Sequence, residues 1–120
     1  MPDDVATIFK DLLEDRDREV MAVMMLTTKN EVIAIHIVSI GTLDYAMAQP
    51  REVFKSAVLL GAASIVIAHN HPSGDATPSD ADKVITARLV QAGCLLGIEV
   101  LDHIIVGADS FVSLNRLGVL

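Results

Sequence analysis

A chain of 120 residues with 52% hydrophobic residues and a mean hydropathy of +0.49 has the size of one domain and ample apolar material for a core, which excludes intrinsic disorder. Nine basic against 16 acidic residues give a net charge of −7, the wrong sign for a protein that binds phosphates by counterion release. With Phe9, Tyr45, Phe54 and Phe111 as the only aromatics, an aliphatic core is expected and no platform for stacking bases.

Residues 3–15 set Val5, Ile8, Phe9, Leu12 and Leu13 at helical spacing behind an acidic first turn, which predicts a short amphipathic helix. Residues 19–28 and 31–40 are mostly β-branched or aliphatic and flank Lys29-Asn30, a pattern that predicts a hairpin with a two-residue connection. Residues 42–49 read as a connection. Pro50 suits a first helical position, and Val53, Phe54, Ala57 and Val58 form one apolar face of a second helix reaching Leu60.

Residues 63–68, ASIVIA, are apolar at nearly every position, as in a central strand covered on both faces. A third helix is expected from about Ser79 to Ala92 or slightly beyond, with Ala81, Ile85, Leu89 and Ala92 at helical spacing and Gly93 or Gly97 as its stop. Residues 98–106 read as another strand and 111–113 as a short edge strand. The order predicts a single α/β domain over residues 1–120, a mixed β-sheet packed with helices.

The chemistry is concentrated directly after the central strand, in HNHPSGDATPSDAD over residues 69–82. Side chains two apart on an extended segment point to the same side, so His69 and His71 can present their imidazoles to one point. Ser79 starts a helix whose Asp82 lies in its first turn, close enough in principle to add a third ligand. Two imidazoles and a carboxylate leave a fourth position on zinc for water, the pattern of a catalytic site. Ser79 and Asp82 also fit a capping box, and Pro-Ser-Gly-Asp is ordinary turn chemistry, so each of these residues has a structural reading as well. A turn has no need of two imidazoles, and buried ones require partners.

His69, His71, Pro72, Ser79 and Asp82 reproduce H-x-H-P-x6-S-x2-D, the motif of the JAMM or MPN-plus metalloproteases. The longer strings PREVFKSAVLLGAASIVIAHNH, AHNHPSGDATPSDAD and LLGIEVLDHIIVG resemble the RadC family in particular, over about residues 17–112. The resemblance implies the JAMM/MPN fold, related to cytidine deaminases, with His69, His71 and Asp82 as zinc ligands and Ser79 as the serine that hydrogen-bonds the oxyanion. It also implies a catalytic glutamate from an earlier strand. Glu19 is the best match, and Glu31 and Glu52 are the other candidates.

The expected function is therefore zinc-dependent hydrolysis of a peptide or isopeptide bond in a protein or peptide substrate. The rival readings are a metal-containing binding or regulatory module that cleaves nothing and a DNA-processing role, since RadC proteins are named for DNA repair. The net charge counts against direct DNA contact, and the helix-hairpin-helix region common in RadC-like chains is not among these residues, so DNA contacts would reside outside them. A nucleobase deaminase is disfavoured because H-x-E with P-C-x-x-C is absent.

Of the remaining residues, His36 is read as a satisfied or exposed histidine, and Met21, Met24, Met25 and Cys94 as core. Asp102 and His103, adjacent on a strand, face opposite ways, and their match to the RadC-family string suggests a structural hydrogen bond. Cys94 is the only cysteine, so neither an internal disulfide nor a multi-cysteine zinc site is available. The apolar run at 57–68 is too short to span a bilayer, and no basic segment leads into an apolar stretch near the start. A cytoplasmic domain with no membrane partner is expected.

Overall fold

The strands predicted from the sequence assemble into a five-stranded mixed sheet in the computed structural model, which describes residues 2–13, 17–40 and 49–120. The elements run α1 (Pro2–Leu13), β1 (Val20–Leu26), β2 (Val32–Ile40), α2 (Pro50–Leu60), β3 (Ser64–Asn70), α3 (Asp80–Leu96), β4 (Glu99–Val106) and β5 (Phe111–Ser113). The strand order is β2-β1-β3-β4-β5. Only β3 and β4 are parallel, joined across the sheet face by α3; the other neighbours are antiparallel. This is the mixed α/β architecture of the JAB/MPN fold. The expected connection at 42–49, apart from Gln49, and the end of the expected first helix at 14–15 lie outside the described residues.

Alternate residues of the same strands build two separate cores. Ala22, Met24, Leu26, Val66, Ala68, Ile104 and Val106 meet Val5, Ala6, Phe9 and Leu13 of α1 on one face. Met21, Val23, Met25, Ile65, Ile67 and Val100 meet α2 and α3 on the other. Burial on both faces explains why β1 and β3 read as continuous apolar runs. Phe9 and Phe54 are fully buried, one in each layer, so the core is aliphatic in its sheet but anchored by an aromatic from a helix on each side. That corrects the expectation of a wholly aliphatic core.

The hairpin between β1 and β2 is longer than two residues. Asn30 N–H donates to Thr27 O and Thr27 N–H to Glu31 O, while Asn30 takes φ of 60°. This is a β-turn followed by a left-handed residue, a three-residue connection in which asparagine fills the place usually given to glycine. Of the two proposed stops for α3, Gly97 is the one used: it is left-handed, with φ of 71°, and its N–H bonds back into the last turn. Gly93 sits inside the helix for a different reason, since a Cβ there would lie 2.3 Å from the Ile98 carbonyl oxygen. Its neighbour Cys94 turns outward and is exposed, which corrects its assignment to the core: the buried side of this turn is spent on the Gly93 contact.

Candidate metal centre

His69 continues the parity of Ile65 and Ile67, so its ring points to the face covered by α2 and α3. The strand ends at Asn70, but His71 N–H still donates to Val106 O at 2.9 Å, extending the parallel ladder by one step and fixing the second imidazole. The chain then turns through Gly74, whose N–H donates to His71 O. Asp75 closes the loop: its carboxylate accepts from Thr77 N–H at 2.9 Å and Thr77 Oγ1 at 2.7 Å. These two bonds hold its carboxyl below the ordinary range. Ala76, buried against Ile105 and Leu114, pins the loop to the sheet.

Ser79 caps α3. Its hydroxyl accepts from Asp82 N–H at 3.1 Å, and its own N–H donates to Asp82 Oδ2 at 2.8 Å. The capping box is realised, and it sets the Asp82 carboxylate beside the two histidines, where the three side chains could hold a metal ion. Asp82 Oδ1 lies 3.2 Å from His69 Nε2 and Oδ2 3.1 Å from His71 Nε2, and the two Nε2 atoms are 3.1 Å apart. His69 is fully buried and Asp82 nearly so, while the His71 side chain keeps 15% of its exposure and marks the open side of the centre.

The donor set fits a cation. A metal with ligand bonds of about 2.0 Å in tetrahedral array separates its ligand atoms by about 3.3 Å, close to all three spacings. His71 Nδ1 is 2.8 Å from Asp75 O, a carbonyl that only accepts, so Nδ1 carries a hydrogen and Nε2 is the nitrogen turned toward the carboxylate. Burial alone would raise the Asp82 carboxyl, but hydrogen bonding and charge attraction from His69, with the Ser79 bonds, hold it far below the usual carboxylate range. The carboxylate is ionised, the form in which it could bind a metal ion.

Behind His69 stands His103, which the sequence reading treated as structural. Its Nε2 is 2.7 Å from His69 Nδ1, and its Nδ1 is 2.6 Å from Thr86 Oγ1. Complete burial, and the nearby His69, hold this imidazole well below its ordinary pKa. The β4 register explains how it reaches the centre: Ile65 pairs with Val100 but Val66 with Asp102. The bulge at Leu101 reverses the parity of the strand and turns His103 toward α3. Asp102 then faces the other way, as expected, and its carboxylate accepts from the His103 backbone N–H.

Glu19 immediately precedes β1 and is half-buried. Met21 pairs with His69, the last pair of the antiparallel ladder, and the same register continued by two residues would set position 19 opposite position 71, on the same face. The Asn70 side chain ties this segment down, its Oδ1 accepting from Val20 N–H at 2.7 Å and its Nδ2 donating to Arg18 O at 2.9 Å. Glu31 belongs to the hairpin connection, beyond the end of β1 where Leu26 pairs with Ser64, a strand's length from His69. Glu52 is exposed in the first turn of α2, with Arg51 at 3.8 Å. His36 shares a hydrogen bond with Ser56 at 2.9 Å on the exposed surface, as expected of a histidine outside the site.

An α/β/α sandwich with an H-x-H strand end and a capping aspartate converging on one point defines a JAB-type domain. The family model of the RadC-like JAB domain matches residues 1–119, and the chain belongs to that family. It is 49% identical over 119 residues to a UPF0758 protein of Desulforamulus reducens and 50% identical over 119 residues to one of Moorella thermoacetica, covering 99% of this chain and 52% of each relative. A UPF0758 protein of Methanosarcina mazei is 44% identical over 117 residues. The chain spans about half the length of these relatives.

Proposed function

We propose that this domain is a zinc-dependent hydrolase acting on peptide or isopeptide bonds. The observation that carries the reading is the convergence of His69 Nε2, His71 Nε2 and an ionised Asp82 on one partly open point. Two imidazoles and one carboxylate suit zinc, and three protein ligands leave room for a water or substrate. When bound, the ion polarises a carbonyl oxygen and brings the pKa of a water near 7.

The chain's own residues supply the rest. Glu19 takes a proton from the attacking water as its oxygen bonds to the carbonyl carbon, and gives it to the departing amine as the C–N bond breaks. The Ser79 hydroxyl accepts from Asp82 N–H, which leaves its own proton for the carbonyl oxygen as that atom gains charge. The substrate is a protein or peptide, since a net charge of −7 disfavours a nucleic acid. The exposed free thiol of Cys94 suits the reducing cytoplasm.

Elemental analysis of the purified protein tests the metal, with about one zinc per chain expected and none retained by the His69→Ala, His71→Ala double variant. Turnover is then sought on a panel of peptide and isopeptide substrates. Glu19→Gln keeps size but cannot take the proton, so it should retain zinc and lose about 10²- to 10⁴-fold in rate. Full activity in Glu19→Gln would remove it from the mechanism. Zinc binding with no turnover across the panel would favour a metal-containing binding module.

A further inference from the structure

We infer that His103 and Thr86 form a buried relay that fixes the hydrogen of His69 on Nδ1, so that Nε2 meets the metal as a bare lone pair. The inference rests on the reading of His69 as a metal ligand and adds two positioning residues to it.

The contacts can be satisfied in two directions, and one of them leaves His69 Nε2 free for a metal. A threonine hydroxyl has a single hydrogen, and Thr86 Oγ1 lies 2.7 Å from the backbone carbonyl oxygen of Asp82, which only accepts. With the hydrogen given there, Thr86 Oγ1 accepts from His103 Nδ1 at 2.6 Å. The His103 ring is completely buried and bonded through its two nitrogens to a hydroxyl and another imidazole. With its one hydrogen on Nδ1, it presents a lone pair at Nε2. The partner at 2.7 Å is His69 Nδ1, which in this direction is the donor. His69 Nε2 is left without a hydrogen, facing Asp82 Oδ1 at 3.2 Å and His71 Nε2 at 3.1 Å.

Three elements close this circuit. Thr86 and Asp82 lie one turn apart on α3, and the bond between them runs from i to i−4 along the helix. β3 contributes His69, and β4 contributes His103 through the bulge at Leu101. Outer partners of this kind set which imidazole nitrogen a metal receives, and losing one typically weakens metal affinity 10- to 100-fold. Removing the Thr86 hydroxyl reverses the direction: His103 Nδ1 loses its acceptor, the hydrogen moves to Nε2, and His69 then accepts at Nδ1 and carries its hydrogen where the metal should be.

Long-range ¹⁵N–¹H spectra of the metal-free chain read the tautomers directly. In the wild type His69 and His103 should both carry hydrogen on Nδ1. Thr86→Val should move His69 toward the Nε2-H form and weaken Zn²⁺ binding 10- to 100-fold in chelator competition, and Thr86→Ser should restore both. His103→Gln, whose amide oxygen can accept from His69, should bind Zn²⁺ more tightly than His103→Phe. A wild-type His69 with hydrogen on Nε2 would overturn the relay even if no valine variant folds. So would a folded Thr86→Val with unchanged tautomer and affinity. Failure of the wild type to bind Zn²⁺ would instead sink the metal reading, while the spectrum still decides the relay.

Discussion

Asp82 and Asp102 are both buried carboxylates within the same domain, and their surroundings are opposite in kind. Asp102 is closed by donors: the His103 N–H at 2.7 Å, the Asn115 N–H at 3.0 Å and the Ser113 hydroxyl at 2.5 Å. These bonds join β4 to the turn after β5, and the charge is spent on holding the chain together. Asp82 receives one backbone N–H, from Ser79, and otherwise faces imidazole nitrogens. A buried carboxylate enclosed by backbone and hydroxyl donors is structure, whereas one that faces two imidazoles is a place that could hold a cation.

Exchanging each aspartate for asparagine should separate the two roles. Asp82→Asn removes the charge opposite both histidines and should weaken Zn²⁺ binding by at least about 10²-fold, while an asparagine oxygen can still serve the cap. Asp102→Asn should show the reverse: Zn²⁺ affinity kept within a few-fold and about 1–3 kcal/mol of stability lost in urea unfolding, because an NH₂ group now meets buried donors. Loss of zinc in a well-folded Asp102→Asn protein would erase the distinction.

Acid should reveal a smaller difference. His103 is buried neutral with its pKa lowered from 6.5, so between its folded pKa and 6.5 the unfolded chain binds the extra proton. Metal-free stability should then be level above about pH 6.5 and fall below it, with a slope of at most about 1.4 kcal/mol per pH unit for one proton. His103→Gln should flatten that window. Asp82 has the opposite habit, its stabilising contribution being present above 3.8 and lost only as pH falls toward its depressed folded value. Its window therefore lies below that of His103. Least of all, Thr77→Ala should let the exposed Asp75 carboxyl return toward its ordinary pKa, seen by NMR titration with the His71 Nδ1 bond to Asp75 O retained.

How much of this was legible in the sequence depended on the range of the rule. His69 and His71 could be paired because extended backbone alternates, and Asp82 because S-x-x-D marks the first turn of a helix. Both rules are local. The same alternation applied to Asp102 and His103 separated the two side chains, yet gave no sign of which one faced the centre, because that depends on the bulge at Leu101. The bulge is visible only once β3 and β4 are in register. Cys94 was misplaced for a related reason: its neighbours are apolar, but Leu95 and Leu96 are exposed with it at the end of α3. The hairpin was misjudged by one residue because Asn30 can adopt the left-handed conformation that Lys29-Asn30 alone does not specify.

Asn70 lies between the two metal-site histidines and points to neither, yet its amide grips Arg18 O and Val20 N–H on either side of Glu19. The consequence is mechanical. The residues on both sides of Glu19 are held by a side chain rooted in β3, so the backbone that carries Glu19 is fastened to the strand that carries His69.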